Sequence, residues 1–390
     1  MRCFFCALRT TRRKAPIIRR SLSSVAKVIQ YHSSVVTGDA IGTSITLLHE
    51  SLIAQGVASF VACADAHLKS AAPGVLPASA ILNGRMGQTF GEDDVLLIHF
   101  SFLDDTAEKL AQLPLRRIIV YHNITPGHFF HEVGLGWLGD GCDRGREQLA
   151  RMSSLFDAAV GDSDYNCQEL TASGYRNVKT IPILFDASSF RSERIDPELL
   201  LSVRERADVN VLFVGRFVPN KRIERVMTMV GAFKNGFAPT VCLHLVGKVW
   251  DGAYFAALMK HAADAGIEQS LQLHTNAEPL RLRTLYAAAD AFVSMSDHEG
   301  FMVPLVEAFA SGCPVIAADA GAIGETMGGA GFLMSAPDPA FAAGILHMIT
   351  TDRDLRSRVV AGQARRAADF RPSRVARRWT ETIRNVSAAF

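Results

Sequence analysis

From about Val25 to the end, short apolar runs of strand length alternate with longer stretches of helical period. In the first half the runs Ala26–Tyr31, Ala58–Ala62, Val95–His99, Arg117–Tyr121 and Ala158–Gly161 read as strands. The periodicity predicts helices at Ile41–Gln55, Asp105–Gln112, Arg144–Ser153 and Asn166–Ser173. A second series starts at Val209. Its strands are Val209–Val214, Val241–Val246, Leu271–Leu273, Ala291–Ser294, Pro314–Ala317 and Gly331–Leu333. Its helices are Arg222–Phe233, Tyr254–Ala265, Leu280–Ala289, Pro304–Ser311 and Pro339–Ile349. Apolar runs that do not alternate with polar residues are strands buried on both faces, which implies parallel sheets covered by helices. Two such series predict an α/β protein of two doubly wound, Rossmann-like domains facing across a cleft. The join falls near Pro182–Pro197, where a strand-like stretch breaks into Asp, Ser, Arg and Pro.

Composition agrees with two domains: 390 residues, 48% of them apolar and 21% charged, enough for two separate cores. A formal charge of +2 excludes a nucleic-acid binder that works through bulk positive charge. No run approaches the ~18 apolar residues of a membrane-spanning helix. The seven scattered Cys are not a disulfide framework and fit buried thiols in a reducing compartment. Residues 1–24 stand apart. They hold Arg2, Arg9, Arg12, Arg13, Lys14, Arg19 and Arg20 and no acid. They read as a disordered basic arm or an over-extended start, as a tail drawn to anionic lipid, or as a transit-type segment. Cys3 and Cys6 have no second Cys/His pair nearby, which argues against a zinc site.

In open α/β sheets ligands sit beyond the carboxyl ends of the strands, so the polar residues just after each strand carry the chemistry. After the first strand comes Gly38-Asp39-Ala40-Ile41-Gly42, either a βα turn with Asp39 capping the helix or a place for close backbone approach to an anion or sugar. After the fourth comes Tyr121-His122-Asn123, with an imidazole at a ligand-facing position. His99 and His128 are weaker candidates of the same kind. Gly215-Arg216-Phe217-Val218-Pro219-Asn220-Lys221 sets a planar guanidinium and a point charge five residues apart, suited to a diphosphate. Lys at a helix start opposes the helix dipole unless an anion is present.

The strongest segment is Ser296-Asp297-His298-Glu299-Gly300-Phe301-Met302-Val303-Pro304-Leu305-Val306-Glu307. Pro304 begins a helix, the Gly300–Val303 amides face outward, and a carboxylate stands at either side. That layout matches a nucleotide sugar: sugar hydroxyls at one acid, ribose at the other, diphosphate between. A glycoside hydrolase with Glu299 and Glu307 as its acid and base would need no phosphate cradle. Asp162-Ser163-Asp164 has the form of a metal motif but stands alone, so no metal site is expected.

At these residues the chain resembles the family-4 retaining glycosyltransferases of the GT-B fold. The Glu299–Glu307 spacing within HEGFMVPLVEAFASGCPVIAADAGAIGE and the upstream VGRFVPNK carry the likeness. It extends from about Ile29 to Trp379 and is weaker in the first half. It implies an N-terminal acceptor-binding domain over 25–190, a C-terminal nucleotide-sugar domain over 191–373, and a last helix over 374–390 crossing back to the first. It gives Arg216 and Lys221 the diphosphate leaving group, Glu307 the ribose, Glu299 the donor sugar and the Gly300–Val303 amides the phosphates. Gly38 and Gly215 would lie near the phosphates, and His122 beside the donor sugar and the acceptor hydroxyl. The Gly321–Glu325 loop also fits the family pattern. Where Met302 and Asp39 stand, many members have Gly. GDAIG and YHNITP look like enzymes of bacterial exopolysaccharide and lipopolysaccharide synthesis, often GDP-mannose-dependent. The resemblance therefore implies a metal-independent hexosyltransferase with no cofactor, using a lipid-linked saccharide acceptor. Its place would be the cytoplasm, in peripheral contact with the inner face of a bacterial membrane. The alternatives are a soluble-acceptor enzyme like sucrose or glycogen synthase, a nucleotide-sugar epimerase, or a non-catalytic sensor.

Overall fold

The computed structural model describes residues 26–36, 38–84, 90–190, 195–237 and 240–387; the basic arm with Cys3 and Cys6 lies outside them. The first sheet holds β1 (Val28–His32), β2 (Ser59–Cys63), β3 (Leu76–Pro77), β4 (Val95–Phe100), β5 (Arg116–Tyr121), β6 (Ala158–Gly161) and β7 (Val178–Thr180). The second holds β8 (Val209–Val214), β9 (Val241–Val246), β10 (Leu271–His274), β11 (Ala291–Ser294), β12 (Val315–Ala318) and β13 (Phe332–Met334). Helices of the first half are α1 (Ala40–Ala54), α2 (Ala78–Leu82), α3 (Asp105–Leu110), α4 (His128–His131), α5 (Gly136–Arg151) and α6 (Asp164–Ala172). The second half adds α7 (Pro197–Arg206), α8 (Ile223–Gly236), α9 (Gly252–Asp264), α10 (Pro279–Ala288) and α11 (Val303–Ala310). After these come α12 (Ile323–Met327), α13 (Pro339–Thr351), α14 (Arg353–Ala367) and α15 (Pro372–Ser387).

Both sheets are parallel throughout, ordered β3-β2-β1-β4-β5-β6-β7 and β10-β9-β8-β11-β12-β13. The order reverses between β1 and β4 in one and between β8 and β11 in the other. These reversals open crevices beyond the strand ends. Within each strand the side chains divide alternately between two cores. Ile29, Leu96, Ile98, Ile119 and Tyr121 pack on one face with Leu149 and Leu170. Val28, Leu97, Ile118 and Val120 pack on the other with Leu48 and Leu52. In the second sheet Val211, Phe213, Leu243 and Val293 face α8 and α13, while Leu212, Phe292 and Val315 face Tyr286, Leu305 and Phe309.

The chain's last helix belongs to the first sheet. Val375, Ala376, Trp379, Ile383 and Val386 of α15 fill the core beneath β1, β4 and β5, and Thr380 donates to Gln55 at 3.1 Å. Trp379, 3% exposed, is its largest plug. Trp379→Ala is expected to cost about 3–5 kcal/mol. In thermal unfolding the transition of the first lobe should drop while the second lobe melts as before.

Candidate active site

Two loops of the second lobe, 78 residues apart in sequence, are stapled together at the β8/β11 switch point. After β8 the chain runs through Gly215 and Arg216 into a single 3-10 turn, Pro219–Lys221. Arg222 then turns left-handed (φ 47°) before α8 begins at Ile223. The buried Asn220 donates to His298 O at 3.1 Å, and its own carbonyl accepts from Asp297 N at 2.9 Å. Arg222 and Arg225 grip the Asp297 carboxylate from the same side. Lys221 Nζ therefore meets both oxygens of Glu299 at 2.7 Å, and Ser296 Oγ donates to Glu299 Oε1 at 2.8 Å. The anion that a cation at this position calls for is thus Glu299 itself, and Lys221 lies in the turn ahead of the helix, not within it. Gly215 lies beneath: a Cβ there would sit 3.9 Å from Lys221 Cε. Arg216 is exposed and makes no ion pair among the described residues; its guanidinium lies 5.4 Å from the Trp250 ring.

Beyond Glu299 the loop turns at Met302, a buried residue held left-handed at φ 70°, a conformation that glycine adopts without cost. Pro304 follows at the second position of α11. Among the described residues none of the Gly300–Val303 amides donates a hydrogen bond, so the mouth of α11 is open to an anion. One turn in, Glu307 Oε2 accepts from Tyr286 Oη at 2.7 Å. The residue as a whole is partly covered, but its carboxyl end is enclosed, and that burial pushes its pKa up from 4.5 to about 7.

The first lobe meets this loop through backbone and neutral polar groups. A Cβ on Gly300 would fall 2.4 Å from Asn123 Cβ and 3.2 Å from His122 O. His298 Nε2 donates to Asn123 Oδ1 at 2.7 Å. The His122 ring itself is turned into its own lobe, with Nδ1 2.7 Å from Asp162 Oδ2 and Nε2 2.8 Å from His99 Nδ1. Gln30 fixes the far end of this chain. Its Nε2 donates to Ile45 O at 3.2 Å, so its Oε1 faces His99 Nε2 at 3.3 Å. Burial lowers the His99 pKa well below the usual histidine range. Gly38 forms a left-handed turn (φ 88°), and Asp39 caps α1 by accepting from Gly42 N at 3.1 Å. The Asp162-Ser163-Asp164 run is spent elsewhere: Asp162 on His122, Ser163 on capping α6, Asp164 on Thr180.

Residues 203–366, which carry Arg216, Lys221, Glu299 and Glu307, match the family "Glycosyl transferases group 1". A D-inositol 3-phosphate glycosyltransferase of Nocardia farcinica is 26% identical over 88% of this chain and 85% of its own length. A GDP-mannose-dependent alpha-mannosyltransferase of Mycobacterium tuberculosis is 38% identical over 28% of this chain and 25% of its own. Among solved structures, Anabaena Alr3699/HepE in complex with UDP and glucose superposes with a TM-score of 0.72. It is 18% identical, covering 92% of this chain and 100% of that one. Sucrose-phosphate synthase of Thermosynechococcus elongatus superposes at 0.73, again 18% identical, over 94% and 100%. The chain is a glycosyltransferase of the GT-B fold.

Of the residues singled out in the sequence of this glycosyltransferase, the fold gathers Gly215, Lys221, Glu299, Gly300, Phe301, Met302, Val303 and Glu307 about one helix mouth. Arg216 lies on Trp250 instead, His122 faces the mouth by its carbonyl, and Gly38 remains at the start of α1. Sequence reasoning passed over Ser296, Tyr286, Trp250, Asn123 and His298. Ser296 and His298 sat inside the segment already chosen and only lacked an assigned partner. Tyr286 and Asn123 carry no local signal, since each finds its partner only through the tertiary fold.

Proposed function

We propose that this glycosyltransferase moves a hexose with retention, mannose from GDP-mannose being the first choice. The acceptor is a hydroxyl of a polyprenyl-diphosphate-linked oligosaccharide in surface-polysaccharide synthesis. The observation that carries the reading is the Lys221–Glu299 pair set beside the open amides of α11. The Lys221 ammonium and these N–H dipoles would then act where the leaving diphosphate gains negative charge. In this mechanism the bond from sugar C1 to the diphosphate oxygen breaks through an oxocarbenium-like state. The acceptor oxygen bonds C1 from the face the diphosphate leaves, and its proton passes to a departing phosphate oxygen. Lys221, Arg216 and the Gly300–Val303 amides stabilise that phosphate without a metal. Glu299, kept in place by Lys221 and Ser296, accepts from sugar hydroxyls, Glu307 accepts from the ribose, and His122 lies on the acceptor side. The mannosyltransferase names among the relatives support the choice of donor.

A second reading has a specific support: a relative aligned along 88% of this chain and 85% of its own length is named for D-inositol 3-phosphate, a soluble phosphorylated polyol. A panel of GDP-, UDP- and ADP-hexoses should first be scored for binding. Turnover is then measured on polyprenyl-diphosphate oligosaccharide and on D-inositol 3-phosphate. Transfer from GDP-mannose to the lipid-linked acceptor, with the anomeric configuration kept, is the expected result. Transfer to the polyol alone would replace the first reading by the second, and a new sugar epimer formed without acceptor would defeat both.

A further inference from the structure

Three consecutive carbonyls of the donor loop are tied down from one side. Glu299 O accepts from Ala322 N at 2.9 Å, Gly300 O from Ser163 Oγ at 2.7 Å and Phe301 O from Thr326 Oγ1 at 2.6 Å. Across a planar trans peptide the N–H points opposite to the C=O. Fixing these carbonyls therefore turns the amides of Gly300, Phe301 and Met302 away from α6 and α12. Ala322 and Thr326 belong to the same lobe as the loop, but Ser163 belongs to the other. Its hydroxyl also accepts from Asn166 N at 3.1 Å, capping α6.

The same helix end is held a second time from across the cleft. Asp164 N donates to the two oxygens of Glu325 at 2.7 and 2.8 Å, and Tyr165 N to one of them at 3.3 Å. A carboxylate satisfying the first free amides of a helix gains from both hydrogen bonding and the helix dipole. Glu325 is itself anchored, for Arg366 donates to Glu325 O at 2.8 Å and to Thr326 O at 3.1 Å. The N-terminus of α6 is thus bonded at once to the donor loop and to the short helix that supports that loop.

We infer that Ser163 and Glu325 form an interlobe clamp that sets the aim of the donor-loop amides, so that the loop takes its working shape only while the lobes are closed. The inference rests on reading residues 299–303 as the donor loop. Both are positioning residues that act through the loop. A clamp of this kind couples closure to catalysis and keeps water from the activated sugar.

The test uses the full chain and the variants Ser163→Ala, Ser163→Thr, Glu325→Ala and the Ala double variant. Without any ligand, hydrogen exchange should speed up at Ala322 N, the amide that holds Glu299 O, in both Ala variants. Glu325→Ala leaves the hydroxyl cap of α6 intact, so its effect is not a melted helix. With whichever of GDP-mannose and UDP-glucose the unaltered chain turns over, kcat should fall about tenfold to a hundredfold, as small misplacements of reacting groups do. Donor hydrolysis should rise severalfold relative to transfer. The double variant should fall short of the product of the singles, because both act on one helix end, and Ser163→Thr should restore transfer. Unchanged exchange at Ala322 N in both Ala variants, or an unchanged hydrolysis-to-transfer ratio, would overturn the clamp. Failure of the donor-loop reading would show separately, as an unaltered chain that turns over neither sugar, and the exchange result would then decide the clamp alone.

Discussion

Replacing Lys221 by Ala is expected to cut nucleotide-sugar turnover by about a hundredfold to a thousandfold, the usual loss when one preorganised donor to developing charge is removed. A second loss follows from burial. The Glu299 side chain is 7% exposed and its partner 17%, so the substitution leaves a carboxylate largely out of water with, among the described residues, only Ser296 to bond it. Breaking such a pair from one side costs about 3–5 kcal/mol, and the melting temperature should fall with it. The two losses separate in a second variant. Lys221→Met with Glu299→Gln removes both charges and should recover most of the thermal stability while turnover stays low. If Lys221→Ala keeps full turnover, the charge on Lys221 has no part in the chemistry. If the paired variant recovers turnover as well, the pair is only a staple between two loops.

Glu307 yields two slopes of opposite sign. Burial raises its carboxyl pKa from 4.5 to about 7, against the Tyr286 hydrogen bond, which favours the charged form. Between those values the folded protein holds a proton that the unfolded chain has released. The contribution to stability is complete below about 4.5 and is lost as pH rises through about 7. Donor binding runs the other way, since the carboxylate is the better acceptor for ribose hydroxyls. Affinity for a nucleotide sugar should climb as pH passes about 7, measured by titration calorimetry. Glu307→Gln should flatten both slopes and weaken donor binding by about tenfold to a hundredfold, the worth of one hydrogen bond to a charged group. Tyr286→Phe should move both midpoints to higher pH. Slopes that persist in Glu307→Gln would assign them to another group.

Much of the framework could be read from the residues because double-sided burial writes itself plainly. Val209–Val214, Val241–Val246, Ala291–Ser294 and Ala158–Gly161 were bounded correctly, each an apolar run with nothing to confuse it. The elements missed are those that bury little. In α7 only Val203 is buried, and in α14 only Gln363 and Ala367, so neither shows an apolar stripe. The first half of α5 looked like a loop because it reads Gly-Trp-Leu-Gly-Asp-Gly. Its glycines are there for contact: a Cβ on Gly141 would lie 2.5 Å from the Phe102 ring, and one on Gly145 2.8 Å from Leu103 N. In the site, charged groups at strand ends were visible and their partners were not. Lys221 and Glu299 stood out separately, yet that they neutralise each other is a fact of the fold. The His122 ring drew notice at the end of β5, but its commitment to Asp162 and His99 depends on two neighbouring strands.

The position of α15 also bears on how the protein is made. Trp379 and its neighbours complete a core whose other walls, from Val28 to Leu184, leave the ribosome far earlier. At about 5–20 residues per second the interval is roughly 10–40 s. During that time the nascent first lobe exposes the apolar trough that α15 will cover, while the second lobe has all its strands and can close first. Assembly would then finish in reverse order of synthesis, with the early half waiting on α15.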